Sequence, residues 1–241
     1  MKGDTALVHE YARTARALLA SHYVPGFGVS PSGDARDNFH GQVWARDASH
    51  AIAAHFAKEN PQAAIDSLKT LFRYQRNGWL PYRVEREYSA IRVALPIPGS
   101  WVLAKPLFVL FERFFRGAKE RASYEGQFNG AEDTIPAVLL AAGALARCSD
   151  QGQQFVEEHL SELRAALAAF RTKINKDGLV VITLHNPDWT ETIERTGVLG
   201  FVNVLYVESL KRLGEIERRC GNEDAARMLE IEHEHARAGV L

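Results

Sequence analysis

The sequence predicts an all-α fold made of helical hairpins, and three observations carry that expectation. Apolar residues recur at the 3.6-residue period over most of the chain. Helix-stopping and helix-starting residues punctuate it at Asn60-Pro61, Asn77-Gly78 and Gly221-Asn222. There is neither a strand–helix–strand alternation nor a run of strands, which removes the α/β and sandwich classes. The 241 residues suffice for one sizeable core, so the expectation is a single domain over 1–241.

The first helix carries Leu7, Tyr11, Ala15, Leu18 and Leu19 on one face, with Asp4 as its cap. Residues 22–40, rich in Gly, Pro, Ser and Asp, read as a loop. A second helix spans about 46–58. A third starts at Asn60-Pro61, carries Ala64, Ile65, Leu68, Leu71 and Phe72, and stops at Asn77-Gly78. Residues 79–130 mix short apolar runs with Pro-Gly breaks and read as a long irregular excursion, with one helix over about 106–119. Thr134 to Arg147 is rich in Ala and Leu and predicts a buried helix. Asp150 to Lys173 predicts one long helix, and Gly178 to Leu184 a short extended segment after an Asn-Lys-Asp-Gly turn. Helices over about 200–218 and 223–238 complete the chain.

Charge and cysteine usage bound the function. The net charge is −1, and basic residues alternate with acidic ones, so neither nucleic acid nor an anionic membrane is an expected partner. The apolar stretch from Val93 to Phe115 is broken by Pro96, Pro98, Gly99, Lys105, Pro106, Glu112 and Arg113, so it does not read as a membrane span. Cys148 and Cys220 have no CxxC spacing and read as isolated thiols of a cytoplasmic protein. His233 and His235 are two apart and face different sides of a helix, so no metal site is expected.

Four segments gather groups that could carry chemistry. Trp44-Ala-Arg46-Asp47 opens a helix. Asp47 alone reads as a residue favoured by the helix dipole, whereas the three polar and aromatic groups together offer an apolar plate with fixed hydrogen-bonding partners for a sugar. Trp79-Leu-Pro-Tyr82-Arg83-Val-Glu85 reads either as a packed surface loop or as part of a site. Glu132-Asp133, opening the buried helix, reads equally as first-turn capping and as a grip on sugar hydroxyls. The fourth segment runs from His185 to Gly197. It holds Asp188, Trp189, Glu191, Glu194 and Arg195, and reads either as a solvated acidic loop or as the carboxyl set of glycoside hydrolysis. A Trp beside an acid can keep it protonated by excluding water.

Taken in order, these segments resemble the six-hairpin (α/α)6 glycosidases, closest to amylo-α-1,6-glucosidase and glycogen-debranching-like domains. Trp44-Ala-Arg46-Asp47 is similar to the family's W-x-R-D segment, Gly78 to Arg83 to its G-x-[LIV]-P-[NY]-[RY] loop, and Phe128 to Thr134 to its Y-N-[ST]-x-D-[AT] segment. Asn186 to Gly197 is similar to its N-x-D-W-x-D … R-x-G loop, with Glu191 where Asp is usual. The resemblance implies a toroid of helical hairpins that acts on the non-reducing end of an α-glucoside by inverting hydrolysis, without metal or organic cofactor. It implies Glu191 as general acid, with Asp188 as the neighbouring candidate. Trp44, Arg46, Asp47, Trp79, Glu132, Asp133, Trp189 and Arg195 would bind substrate. About seven or eight helices are legible where six hairpins need twelve, and no segment matches the family's general base. The expectation is therefore an incomplete (α/α)6 barrel. Its remainder would come from a second copy or a missing C-terminal half. Without that remainder the chain would be a sugar-binding remnant, or else a helical-hairpin scaffold that binds protein.

Overall fold

The computed structural model describes residues 3–34, 39–86, 120–124, 132–183 and 196–240, with side chains from residue 7 onward in the first helix. The described chain is mostly helical. Helix α1 is Gly3–Ser21. A second helical run comprises α2, Ala45–Ala51, a π-helical turn, Ile52–Phe56, and α3, Ala57–Glu59, and α4, Pro61–Arg73, follows it. Then come α5, Thr134–Cys148, α6, Asp150–Glu158, and α7, Leu160–Phe170, which ends in a 3-10 turn, Arg171–Lys173. The last two are α8, Gly200–Arg219, and α9, Glu223–Val240.

These helices form three consecutive hairpins. Local chemistry sets the joints. Asn60 accepts from the Ala63 amide at 3.2 Å with Pro61 at the first helical position, and Ser149 accepts from the Gly152 amide at 3.0 Å. The first helices of the hairpins pack side by side, with α5 between the 45–59 run and α8. Helix α5 is apolar all round and, from Ile135 to Ala146, buried everywhere but at Leu140, as expected for a helix with neighbours on most sides. It runs parallel to α8. A Cβ at Gly143 would stand 2.7 Å from Cβ of Arg212, and Arg219 donates to the Ala146 carbonyl at 2.9 Å, so successive residues of the two helices meet in the same order. The amino-terminal ends of these helices therefore share one end of the layer.

The all-α expectation, with one extended segment over 178–184, needs correction: among the described residues seven short strands form three small sheets, and only Val181–Ile182 falls in that segment. The strands are β1, Tyr23–Val24, with β2, Gly28–Val29; β3, Gln42–Trp44, β4, Arg83–Glu85, and β5, Arg121–Ser123; and β6, Val181–Ile182, with β7, Gly197–Val198. All pairings are antiparallel. Strand β4 is central in the three-stranded sheet, with Val84 opposite Val43 on one side and Ala122 on the other. The long excursion thus leaves from β4 and returns to β5 beside it. The helix expected over about 106–119 lies outside the described residues.

Three further expectations meet a different outcome. Asp4 lies within α1, Gly3–Ser21, and is not its cap, and on that helix Leu7, Val8, Tyr11 and Leu18 are each at least half exposed. The single helix expected over 150–173 breaks at His159 (φ −112°, ψ 21°), whose ring packs on Phe155 and Phe72 with centroids 4.2 and 5.6 Å away. Asn77-Gly78 does not end a helix, since α4 already stops at Arg73. Both residues have positive φ and form a two-residue turn in which Arg76 and Trp79 exchange backbone hydrogen bonds at 3.0 and 2.9 Å. The segment 22–34 is held to α4: Asp66 accepts from the Tyr23 hydroxyl and the Gly26 amide, both at 2.7 Å, and Thr70 donates to the Phe27 carbonyl at 2.6 Å. Cys148 and Cys220 are both free, and burial pushes the Cys220 thiol up. No described helix is long and apolar enough to cross a membrane.

Candidate functional site

The shared end of the hairpin layer collects charge. Strand β3 runs straight into α2, which puts Trp44 at the junction, Arg46 in the first turn and Asp47 beside it. Asp133 precedes α5 and Glu132 precedes Asp133. Arg46 reaches across from its helix to the next: Nη1 lies 3.5 Å from Asp133 Oδ2, and Nε lies 3.7 Å from Asp47 Oδ1. Two segments far apart in sequence therefore meet through an ion pair. Asp133 makes no side-chain cap bond to its own helix, and Trp44 makes none to α2. Asp133 thus pairs with Arg46 of the neighbouring helix, while Asp47 stands in the first turn of α2.

Glu132 is equally buried and pairs with Lys173, on the 3-10 turn after α7. The Lys173 ammonium also stands 5.0 Å from the Trp79 ring centroid, within cation–π range. Trp79 is delivered by the Asn77-Gly78 turn, which is tied to α7: Gln75 donates to the carbonyls of Gly78 and Glu162 at 3.0 and 2.9 Å. A Cβ at Gly78 would lie 2.3 Å from the Ala165 carbonyl oxygen, and φ is +84°, so this position needs glycine. Trp79, Leu80, Tyr82, Glu132, Thr134, Ile135 and Phe170 line one small hollow.

Trp44 borders this group through Tyr82, edge to face at 6.3 Å between centroids, and donates to Gln42 at 2.6 Å. The Arg83 guanidinium sits over one face of its ring at 5.2 Å and forms an ion pair with Glu85 at 2.6 Å. Trp44 and Trp79 thus each have a cation over the ring; Trp44 also meets Phe39 edge to face at 6.1 Å, and Trp79 packs against the core.

Six of the ten residues singled out in the sequence fall among the described ones. Arg46, Asp47, Glu132 and Asp133 come together at adjoining helix ends, with Trp79 and Trp44 beside them. Asp47 differs from the others in being half exposed. Asp188, Trp189, Glu191 and Arg195 lie outside the described residues. The flanks of their segment are described. Strand β6 before it pairs with β7 after it, Val181 opposite Val198. Asn203, in the first turn of α8, binds both backbone groups of Val180, accepting from its amide at 2.7 Å and donating to its carbonyl at 3.2 Å. Both ends of that segment therefore stand at the start of α8.

Lys173 is the residue that the motifs did not disclose. It belongs to no recognisable pattern, and its sequence neighbours suggest an ordinary solvated helix end. Among the described residues, no group of three His, Cys, Asp or Glu side chains is placed to hold one metal ion. Comparison of the chain with protein-family models, with curated proteins and with solved structures finds no match in any of the three.

Proposed function

We propose that this chain is a portion of an (α/α) toroid of glycoside-hydrolase type that binds the non-reducing end of an α-glucoside or α-glucan. The observation that carries the reading is the ion pair between Arg46 and Asp133, which joins two of the motifs at one end of parallel helices. In this reading Arg46, Asp47, Glu132 and Asp133 give fixed donors and acceptors to sugar hydroxyls, and Trp44, Trp79 and Trp189 supply apolar walls. Glu191, or Asp188 beside it, protonates the glycosidic oxygen. An inverting mechanism then needs a second carboxylate about 6.5–9.5 Å from the acid to activate water. We assign that role to no described residue, and a chain without it would bind sugar and not cleave it.

The test has two arms. Glucose release from a panel of α-1,4- and α-1,6-glucosides is compared between wild type and Glu191→Gln, and sugar binding is compared between wild type and Arg46→Ala. Loss of hydrolysis in Glu191→Gln supports the enzyme. Binding that Arg46→Ala abolishes, with no hydrolysis in either protein, supports the remnant. Absence of any response to glucose or maltose in wild type removes the sugar reading.

A second reading is favoured by a different observation. The stripe of Leu7, Tyr11 and Leu18 on α1 is exposed. So is the apolar groove of about 750 Å³ between α7 and α9, lined by Leu167, Leu213, Met228, Leu229 and Ile231. Surfaces of this kind are those of protein-binding scaffolds.

A further inference from the structure

We infer that the small hollow beside Trp79 is a binding site for one interior water molecule, which caps the start of α5. The inference goes beyond the sugar reading and does not depend on it. Size, an orphan hydroxyl and an uncapped helix point to it. The hollow measures about 10 Å³, which is about the room that one water needs. Thr134, in its wall, is the first residue of α5 and only 4% exposed, and its hydroxyl oxygen has no hydrogen-bond partner among the described residues. Asp133 makes no side-chain cap bond to the helix, and the first amides of a helix have no acceptor within it. Pro136 removes one of those donors, because it has no N–H. Among the others are the amides of Thr134 and Ile135, and both residues line the hollow.

A water has the chemistry that these groups call for. Its lone pairs accept from the Thr134 hydroxyl and from an amide of the first turn. Its protons go to acceptors, and the Glu132 carboxylate also lines the hollow. Lys173 takes one oxygen of that carboxylate, which offers about four acceptor positions in all. The hollow thus supplies the two to four polar partners that an interior water needs. Leu80 and Phe170, also in its wall, are buried, apolar and offer the hydroxyl no competing partner. A helix start is commonly closed by the side chain of a Ser, Thr, Asp or Asn at the cap. Here the carboxylate at that position, Asp133, is turned to Arg46 of the neighbouring helix, and water takes over the capping role.

The experiment uses the full chain, isotope-labelled at nitrogen and deuterated at carbon, with water itself as the probe. Wild type should show a nuclear Overhauser effect from water to the Thr134 or Ile135 amide, with the sign of a molecule bound for longer than the protein takes to tumble. Thr134→Ser keeps the hydroxyl and should keep the signal. Thr134→Val has nearly the same shape and no hydroxyl. It should weaken or lose the signal and melt about 2–4 °C below wild type, because the water loses one partner. A dry hollow predicts the opposite sign, since replacing an unpartnered hydroxyl by a methyl group is neutral or stabilising. No water signal at either amide in wild type, or a Thr134→Val protein at least as stable as wild type, overturns the inference. Neither result touches the sugar reading, which glucose and maltose binding decides.

Discussion

Asn203 gives the sharpest quantitative test of how the far end of the site is held. Its side chain is almost fully buried and makes three hydrogen bonds: it accepts from the Val180 amide at 2.7 Å and donates to the carbonyls of Val180 and Leu199 at 3.2 and 2.9 Å. Val180 is itself fully buried. Asn203→Ala therefore leaves one N–H and one C=O of Val180 without this partner in a place water does not reach. The Leu199 carbonyl keeps its bond from the Asn203 backbone amide at 3.1 Å. At about 1–3 kcal/mol for each of the two buried groups left unsatisfied, the expected loss is about 2–6 kcal/mol. For a chain of this size that corresponds to a fall in Tm of about 4–24 °C.

Urea unfolding followed by circular dichroism measures the loss directly, with the slope of the transition compared between variants so that a change in midpoint reads as a change in stability. Asn203→Asp is the informative companion. A carboxylate keeps the acceptor for the Val180 amide but turns an oxygen toward two carbonyls. Its protonated form can donate again, so this variant should gain stability relative to wild type as pH falls through the carboxylate range. A loss below about 1 kcal/mol in Asn203→Ala would refute the reasoning, because a strand anchored elsewhere would not feel the missing amide.

Two other positions offer independent checks. Gly78→Ala brings a Cβ to 2.3 Å from the Ala165 backbone oxygen at a φ of +84°, so a loss of about 2 kcal/mol or more in urea unfolding is expected, with a changed Trp79 emission. Tyr23 is pushed up to about 12, first by burial and then by its hydrogen bond to Asp66. A raised value in the folded state means that its contribution is whole below the unfolded tyrosine range near pH 10 and is lost as pH rises toward 12. Wild type should therefore lose stability more steeply over pH 10–12 than Tyr23→Phe, and identical slopes in the two proteins would refute the role of Asp66.

The reach of sequence reasoning follows the range of the interactions involved. Helix α5 was legible because its run of Ala, Val and Leu is apolar at every angle, a property of about fifteen consecutive residues. The Asn60-Pro61 joint was legible because capping acts over three residues. Of the small strands only β6, inside the extended segment expected over 178–184, was legible; the others, of two or three residues, are too short for an alternating pattern to register. The turn at Asn77-Gly78 carried a hairpin signal, but the helical pattern before it invited a helix stop in its place. At the break the His159 ring packs on Phe72, which belongs to another hairpin and is not its sequence neighbour.

The candidate site divides along the same line. The sequence by itself determined the residue types at the helix starts, Arg46 and Asp47 in one place and Glu132 and Asp133 in another, together with the helical periods between them. Only the tertiary structure decided that Arg46 meets Asp133, that Lys173 contacts both Glu132 and Trp79, and that the apolar face of α1 stays largely exposed, with Leu19 packed against the core. The physical reason is that caps and periods are written within a few turns of one helix. A contact between hairpins instead depends on which buried faces pack together, and that choice is made by the whole core at once.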